Sequence, residues 1–191
     1  MNTKVSLILG GARSGKTGHA EQLVAESGLN PIYLATGTAK DKEMHQRIER
    51  HKSDRAKSRL NWQTVEEPTD LANKVSALAQ PGNAILVDCL TLWLSNCLGE
   101  GIWPERRQEF LDTIKQLIDT SSGRLEPTEP SLADCEIILV SNETGLGVVP
   151  MGELSRQFVD ESGFLHQDLA GVAQVVTLVV AGIPTQLKTT I

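Results

Sequence analysis

The eight residues Gly10-Gly11-Ala12-Arg13-Ser14-Gly15-Lys16-Thr17 constrain this chain more than any other stretch, because they fit the spacing G-x-x-x-x-G-K-[ST]. Their context is the one such a loop requires. Residues 5–9 are an apolar run with β-branched members, long enough for a buried strand, and the segment from His19 reads as a helix. In a strand–loop–helix unit, glycines let the backbone wrap until successive N–H groups point inward, and the helix adds the positive end of its dipole. Such a concavity holds phosphate oxygens. Lys16 is then placed to reach the β- and γ-phosphates of a nucleotide, and the Thr17 hydroxyl to ligate Mg²⁺.

Four more apolar runs follow, at 31–36, 84–88, 136–141 and 175–180, separated by segments that read as helices, among them 70–79 and 104–119. Five buried strands alternating with helices predict an α/β fold with a parallel sheet and helices on both faces, in a single domain over residues 1–191. Residues 61–65 suggest a further short strand, and 121–134, with two prolines and a glycine, a surface loop. Pro150 is expected to open a long helix whose core stripe is Leu154, Phe158, Leu165 and Leu169. The leucine-rich stretch 90–103, with Trp93 and Trp103, reads as helix plus turn; its surplus of large apolar groups fits either core or a subunit or ligand surface, and the surface is the expectation.

Composition excludes several classes of function. With 18 Lys and Arg against 24 Asp and Glu the net charge is −6, so no general attraction to nucleic acid or to anionic membranes is expected. Cys89, Cys97 and Cys135 are widely spaced and form no C-x-x-C pair, which predicts small core residues rather than disulfides or a zinc site. No apolar run reaches the length of a signal-peptide core or a membrane span, so the expected location is cytoplasmic.

Several candidate site residues fall at strand ends, where open α/β sheets carry their ligands. Thr36, Gly37 and Thr38 would face the same crevice as the phosphate loop. Asp88 closes an apolar run as a Walker B acid does, opposite Thr17, where it would hold Mg²⁺. After the run at 136–141, Asn142 and Glu143 lead into a loop whose Gly145 and Gly147 permit close backbone approach to a ligand. Glu66 is ambiguous: spacing favours an acid at a helix N-terminus, and the other reading is a carboxylate accepting hydrogen bonds from a guanine edge or a ribose. Residues 40–59 hold eight Lys and Arg against four acids, a local charge of +4 in an otherwise acidic chain. On a helix, Arg47, His51 and Arg55 would form one stripe. Either this is a solvated face, or it faces a polyphosphate on which neutral His51 acts as nucleophile. These residues alone admit a P-loop kinase of a small hydroxyl substrate, and also a nucleotide-binding module without chemistry.

Taken in order, the motifs resemble the bifunctional adenosylcobinamide kinase / adenosylcobinamide-phosphate guanylyltransferase family. The resemblance spans nearly the whole chain: residues 10–17; Tyr33, Ala35 and Thr36; Glu43, Met44, Arg47, Ile48 and His51; Trp62, Thr64 and Glu66; 88–91; Ser141, Asn142, Glu143, Gly145, Gly147, Val149 and Pro150; and Arg156, Phe158, Asp160 and Gly163. It implies a RecA-like P-loop fold assembled as a homotrimer. It also implies two reactions, phosphorylation of the aminopropanol hydroxyl of adenosylcobinamide with ATP or GTP, then transfer of GMP from GTP to the phosphate through a guanylylated histidine. His51 matches that histidine, and Lys52, Ser53, Asp54, Arg55, Thr36, Gly37, Thr38, Glu66 and Asp88 fall at nucleotide-contacting positions. The kinase step would rest on Lys16, with Glu143 and Asn142 as substrate-orienting groups. The chain departs from the family pattern at His166-Gln167, usually Asn-Gln, at Arg50, a histidine in some members, and at Asp88, which is Glu in some.

Overall fold

Strand β1 (Thr3–Gly10) is buried at every position but Lys4, which is half-buried, and it lies between two strands that come much later in the chain. In the computed structural model, which describes residues 2–38, 42, 46, 49, 53, 55, 58, 60–119 and 134–190, it pairs in parallel with β5 (Cys135–Asn142) and β6 (Val175–Val180). Beyond β5 the sheet continues through β4 (Asn83–Asp88), β2 (Asn30–Ala35) and β3 (Gln63–Glu66), all parallel. Beyond β6 it ends in β7 (Ile183–Thr189), which runs antiparallel. The order is β3-β2-β4-β5-β1-β6-β7.

The near-continuous apolar character of the central strands follows from burial on both faces. Alternate residues divide between two clusters, as the period of two requires. Val5, Leu7 and Leu9 face α2 (Leu71–Leu78), α3 (Leu90–Glu100), α4 (Trp103–Asp119) and α5 (Glu153–Val172). Ile8, Leu86, Ile138 and Val140 face Ala20 and Val24 of α1 (Lys16–Ser27). Helices therefore cover both faces, as expected. Cys89, Cys97 and Cys135 are free and buried. Among the described residues, no helix is long and apolar enough to cross a membrane.

Three expectations are corrected. Trp93 is 0% exposed and Trp103 2%, so the two tryptophans supply core rather than an outer surface. The two rings meet edge-on at 5.0 Å, Phe110 packs at the same centroid distance from Trp93, and both indole N–H groups are satisfied, by Thr69 O and Glu161 Oε2. Leu154 is 69% exposed, because α5 begins only at Glu153 and its first turn overhangs the sheet; Leu165 and Leu169 carry the packing. The chain also does not stop pairing at residue 180. Ala181 (φ 52°) and Gly182 (φ 79°) make a tight reversal into β7, where Pro184 is tolerated because the strand is an edge. Of the expected 121–134 loop, only Asp134 lies within the described residues.

Candidate active site

The phosphate loop is shaped by contacts that exclude side chains. A Cβ on Gly10 would lie 2.5 Å from Ser14 Oγ and 2.6 Å from Val179 O, so only glycine fits where β1 enters the loop. Gly15 has φ 94°, and a Cβ there would stand 3.1 Å from Gly182 Cα. The Gly182 N–H donates to Ser14 O (2.8 Å) and the Ser14 N–H to Gly11 O (3.2 Å), which fixes the curl from both sides. Helix α1 then starts at Lys16 with no side-chain cap and no acid in its first turn. Its leading N–H groups have no capping side chain, which suits an anion. Lys16 is buried, and its Nζ donates to Gly11 O (3.0 Å) across the mouth of the loop.

Next to this loop, the carboxyl ends of three adjacent strands bring candidate groups into line. The register sets Ala35 beside both Glu66 and Asp88. Asp88 Oδ2 accepts from Thr17 Oγ1 (3.1 Å) and from the Tyr33 hydroxyl (2.9 Å). Burial first, and the Asp88 charge second, hold the Tyr33 phenol well above its usual range, so it remains a donor. The Arg55 guanidinium stacks 3.5 Å from the centre of the Tyr33 ring, and its Nη1 is buried with no hydrogen-bond partner among the described residues.

Thr36 is fully buried, and its hydroxyl donates to Cys89 O (2.7 Å) and accepts from the Cys89 N–H (2.9 Å). Its carbonyl accepts from Asn96 Nδ2 (2.9 Å), and Thr38 Oγ1 donates to Asn96 Oδ1 (3.3 Å), so 36–38 are tied to the start of α3 and Gly37 is carried with them. Glu66 ends β3 in an exposed position. The helix-cap reading given to it belongs instead to Glu67, whose Oε1 accepts from the N–H groups of Thr69 (3.1 Å) and Asp70 (2.8 Å) ahead of α2. Ser53 is exposed, whereas His51, Lys52, Asp54 and Arg47 lie outside the described residues.

At the end of β5, between β4 and β1, the Glu143 N–H donates to Gly10 O (3.0 Å) and Asn142 Nδ2 to Thr91 Oγ1 (2.9 Å). Both residues line an open pocket of about 530 Å³ that also touches Ala12 of the phosphate loop, Thr91 and Phe158. Sequence reasoning did not connect this wall with the buried His166, whose Nε2 is 2.7 Å from Ser141 Oγ. The two are 25 residues apart, and no spacing rule links a strand end to the middle of a later helix.

The donor set near Thr17 and Asp88 consists of hard oxygens, suited to Mg²⁺ shared with nucleotide phosphates rather than to an all-protein cage. A loop that cradles phosphate, a lysine at its mouth and an acid paired with the Thr17 hydroxyl can together bind a nucleoside triphosphate and stabilise charge moving onto its phosphates.

Residues 6–187 match the family model described as cobinamide kinase / cobinamide phosphate guanyltransferase. The bifunctional adenosylcobalamin biosynthesis protein CobP of Pseudomonas aeruginosa is 49% identical over 182 residues, 95% of this chain and 96% of that protein. The bifunctional adenosylcobalamin biosynthesis protein CobU of Escherichia coli K12 is 35% identical over 188 residues, 95% of this chain and 98% of that protein. A solved structure from Pyrococcus horikoshii OT3 (Project ID PH0250) is similar in fold, with a TM-score of 0.52 at 13% identity, covering 98% of this chain and 87% of that one.

Proposed function

The chain belongs to the cobinamide kinase / cobinamide phosphate guanyltransferase family, and from that premise we propose how its own residues divide the two reactions. The enzyme phosphorylates adenosylcobinamide and then converts the phosphate to adenosylcobinamide-GDP with GTP, as the family description implies. What carries this reading is the family match over residues 6–187, in a chain whose Lys16 loop sits beside the Thr17–Asp88 pair.

In the phosphorylation step, the nucleotide triphosphate tail occupies residues 10–17. Lys16 Nζ leaves Gly11 O for phosphate oxygens, and the leading N–H groups of α1 face the same charge. Thr17 and Asp88 hold Mg²⁺, which supplies neutralisation of the departing phosphate charge when bound. Asn142 and Glu143 orient the aminopropanol hydroxyl from the pocket side.

In the nucleotidyl step, neutral His51 attacks the α-phosphorus of GTP, pyrophosphate leaves, and the phosphoramidate is displaced by the phosphate of the first product. Thr36, Gly37, Thr38, Lys52, Ser53, Asp54, Arg55 and Glu66 contact the nucleotide. The buried Arg55 Nη1, without a hydrogen-bond partner among the described residues, supports a place for an anion there. The enzyme is cytoplasmic and a homotrimer in this reading, and the exposed apolar run Leu146, Val148, Val149, Met151 and Leu154 is consistent with a covered surface.

Intact-protein mass spectrometry after incubation with GTP and Mg²⁺ tests the histidine. A gain of one GMP, labile in acid and stable in base and absent from His51→Ala, is the expected result. GTP binding with no adduct would sink the role of His51 and leave a P-loop kinase.

A further inference from the structure

At the end of β5, between the strand that carries Asp88 and the strand that feeds the phosphate loop, three polar side chains meet where apolar packing would be the default. Ser141 is fully buried at the end of β5, and His166 is only 7% exposed in the middle of α5. Glu143 is half-buried and lines the pocket. His166 Nε2 lies 2.7 Å from Ser141 Oγ, and its Nδ1 lies 3.7 Å from Glu143 Oε2. An imidazole buried without partners would be destabilising. Here each ring nitrogen faces a group it can use.

We propose that His166 is a positioning residue for phosphoryl transfer: it holds the Glu143 carboxylate toward the pocket beside Ala12, where Glu143 takes the proton of the acceptor hydroxyl. This inference rests on the phosphorylation reading above. Burial lowers the His166 pKa below the usual histidine range, against a weaker opposing pull from Glu143, so the ring is neutral near pH 7. A neutral ring beside a carboxylate carries its proton on Nδ1, leaving the Nε2 lone pair to accept from the Ser141 hydroxyl. The 3.7 Å separation is that of the ligand-free chain, and such contacts shorten when substrate binds.

Glu143 is tethered at its carboxylate, at its backbone and through its neighbour. Its Oε1 accepts from the Gly145 N–H (2.6 Å), its own N–H donates to Gly10 O at the root of the phosphate loop (3.0 Å), and its neighbour Asn142 is tied to Thr91 (2.9 Å). Glu143 is thus referenced to the loop that holds the γ-phosphate. The pocket it lines has a polar wall of Thr91 and Asn142 and an apolar wall of Leu92 and Phe158, which suits a hydroxyl on a short aliphatic arm. In the transfer, the acceptor oxygen bonds to the γ-phosphorus as its proton passes to Glu143. The bond from that phosphorus to the β,γ-bridging oxygen breaks, and its electron pair leaves with the nucleoside diphosphate.

The test uses the whole chain with adenosylcobinamide, ATP and Mg²⁺, and in parallel the GTP-dependent mass gain as a second readout. Asn at 166 places its amide nitrogen where Nδ1 stands, toward Glu143; Gln places its own where Nε2 stands, toward Ser141. Glu143→Gln is expected to lower the phosphorylation kcat about 100-fold. His166→Gln should lower it about 10- to 100-fold with the nucleotide KM unchanged, while His166→Asn stays within about threefold of the unaltered chain. The guanylyl adduct should form in all three. Equal losses in the two His166 variants, or an unchanged kcat in His166→Gln, would overturn the proposal. So would loss of both reactions together with a fall in Tm, the mark of a purely structural histidine. If the unaltered chain fails to phosphorylate adenosylcobinamide, the reading beneath the proposal fails as well, a result distinct from any of these.

Discussion

Asp88 and Glu143 stand at the carboxyl ends of neighbouring strands, beside the same phosphate loop, and they are held in opposite ways. Asp88 receives two hydroxyls on one oxygen, from Thr17 and from Tyr33, whose ring lies under the Arg55 cation. Glu143 receives one backbone N–H and faces a neutral, buried imidazole and an open pocket. A carboxylate ringed by hydroxyl oxygens beside a phosphate loop is arranged to share a hard cation with the phosphates. One set against a neutral histidine at a pocket wall is arranged to manage a proton. In the proposed reading the same side-chain chemistry serves two ends through its neighbours alone.

The largest expected effect separates the two acids directly. Asp88→Asn keeps the shape and removes the charge, and should lower both phosphorylation and guanylylation about 10²- to 10³-fold, whereas Glu143→Gln should lower only the first. Rates of the two half-reactions measured on the same preparations check this, and an Asp88→Asn enzyme that still guanylylates at the unaltered rate would break the comparison. A smaller effect is expected from Tyr33→Phe, which removes one hydroxyl from Asp88 and keeps the ring beneath Arg55. The Mg²⁺ concentration for half-maximal rate should move about fivefold, the scale of one ordinary net hydrogen bond, with kcat at saturating Mg²⁺ little changed.

The smallest effect concerns Cys89, next to Asp88. Burial, then the Asp88 charge, push its thiol up to about 11, and burial pushes Cys135 to about 11 and Cys97 to about 12. These groups bind protons more tightly in the folded chain than in the unfolded one. The stability they contribute is therefore complete below pH 9, the ordinary thiol value, and is lost as pH rises toward about 11. Tyr33, also raised, adds to the same alkaline trend. Tm measured against pH should be flat through neutrality and fall above pH 9, and neither reaction should show a thiol titration near neutral pH.

Much of this arrangement was legible before any coordinates. Five apolar runs, the residues 10–17 and the acid ending the run at 84–88 are each local patterns, and each lands where its pattern requires. What escaped depends on distance or on direction. β7 has exposed, mixed residues because it is an edge, so it lacks the apolar run that betrays a central strand. Large side chains in 90–103 are equally countable inside or outside a fold, and only the facing α4 shows that Trp93 and Trp103 are inside. Leu154 keeps helical spacing with Phe158 yet hangs past the sheet, which no periodicity records. Glu66 and Glu67 are adjacent, and strand pleating sends one to the capping role and the other to the strand end. His51 cannot be compared with its expected surroundings, since it lies outside the described residues.

The placement of β1 between β5 and β6, with Gly182 bonded to Ser14, sets the timetable of the site. Residues 10–17 are made well before their supports, which come from near residues 142 and 182. The phosphate loop is therefore early in synthesis and late in assembly. A nascent chain halted before the Ala181-Gly182 turn carries the whole loop sequence without the contact that shapes it, so the loop gains its full curl only after residue 182 has been made.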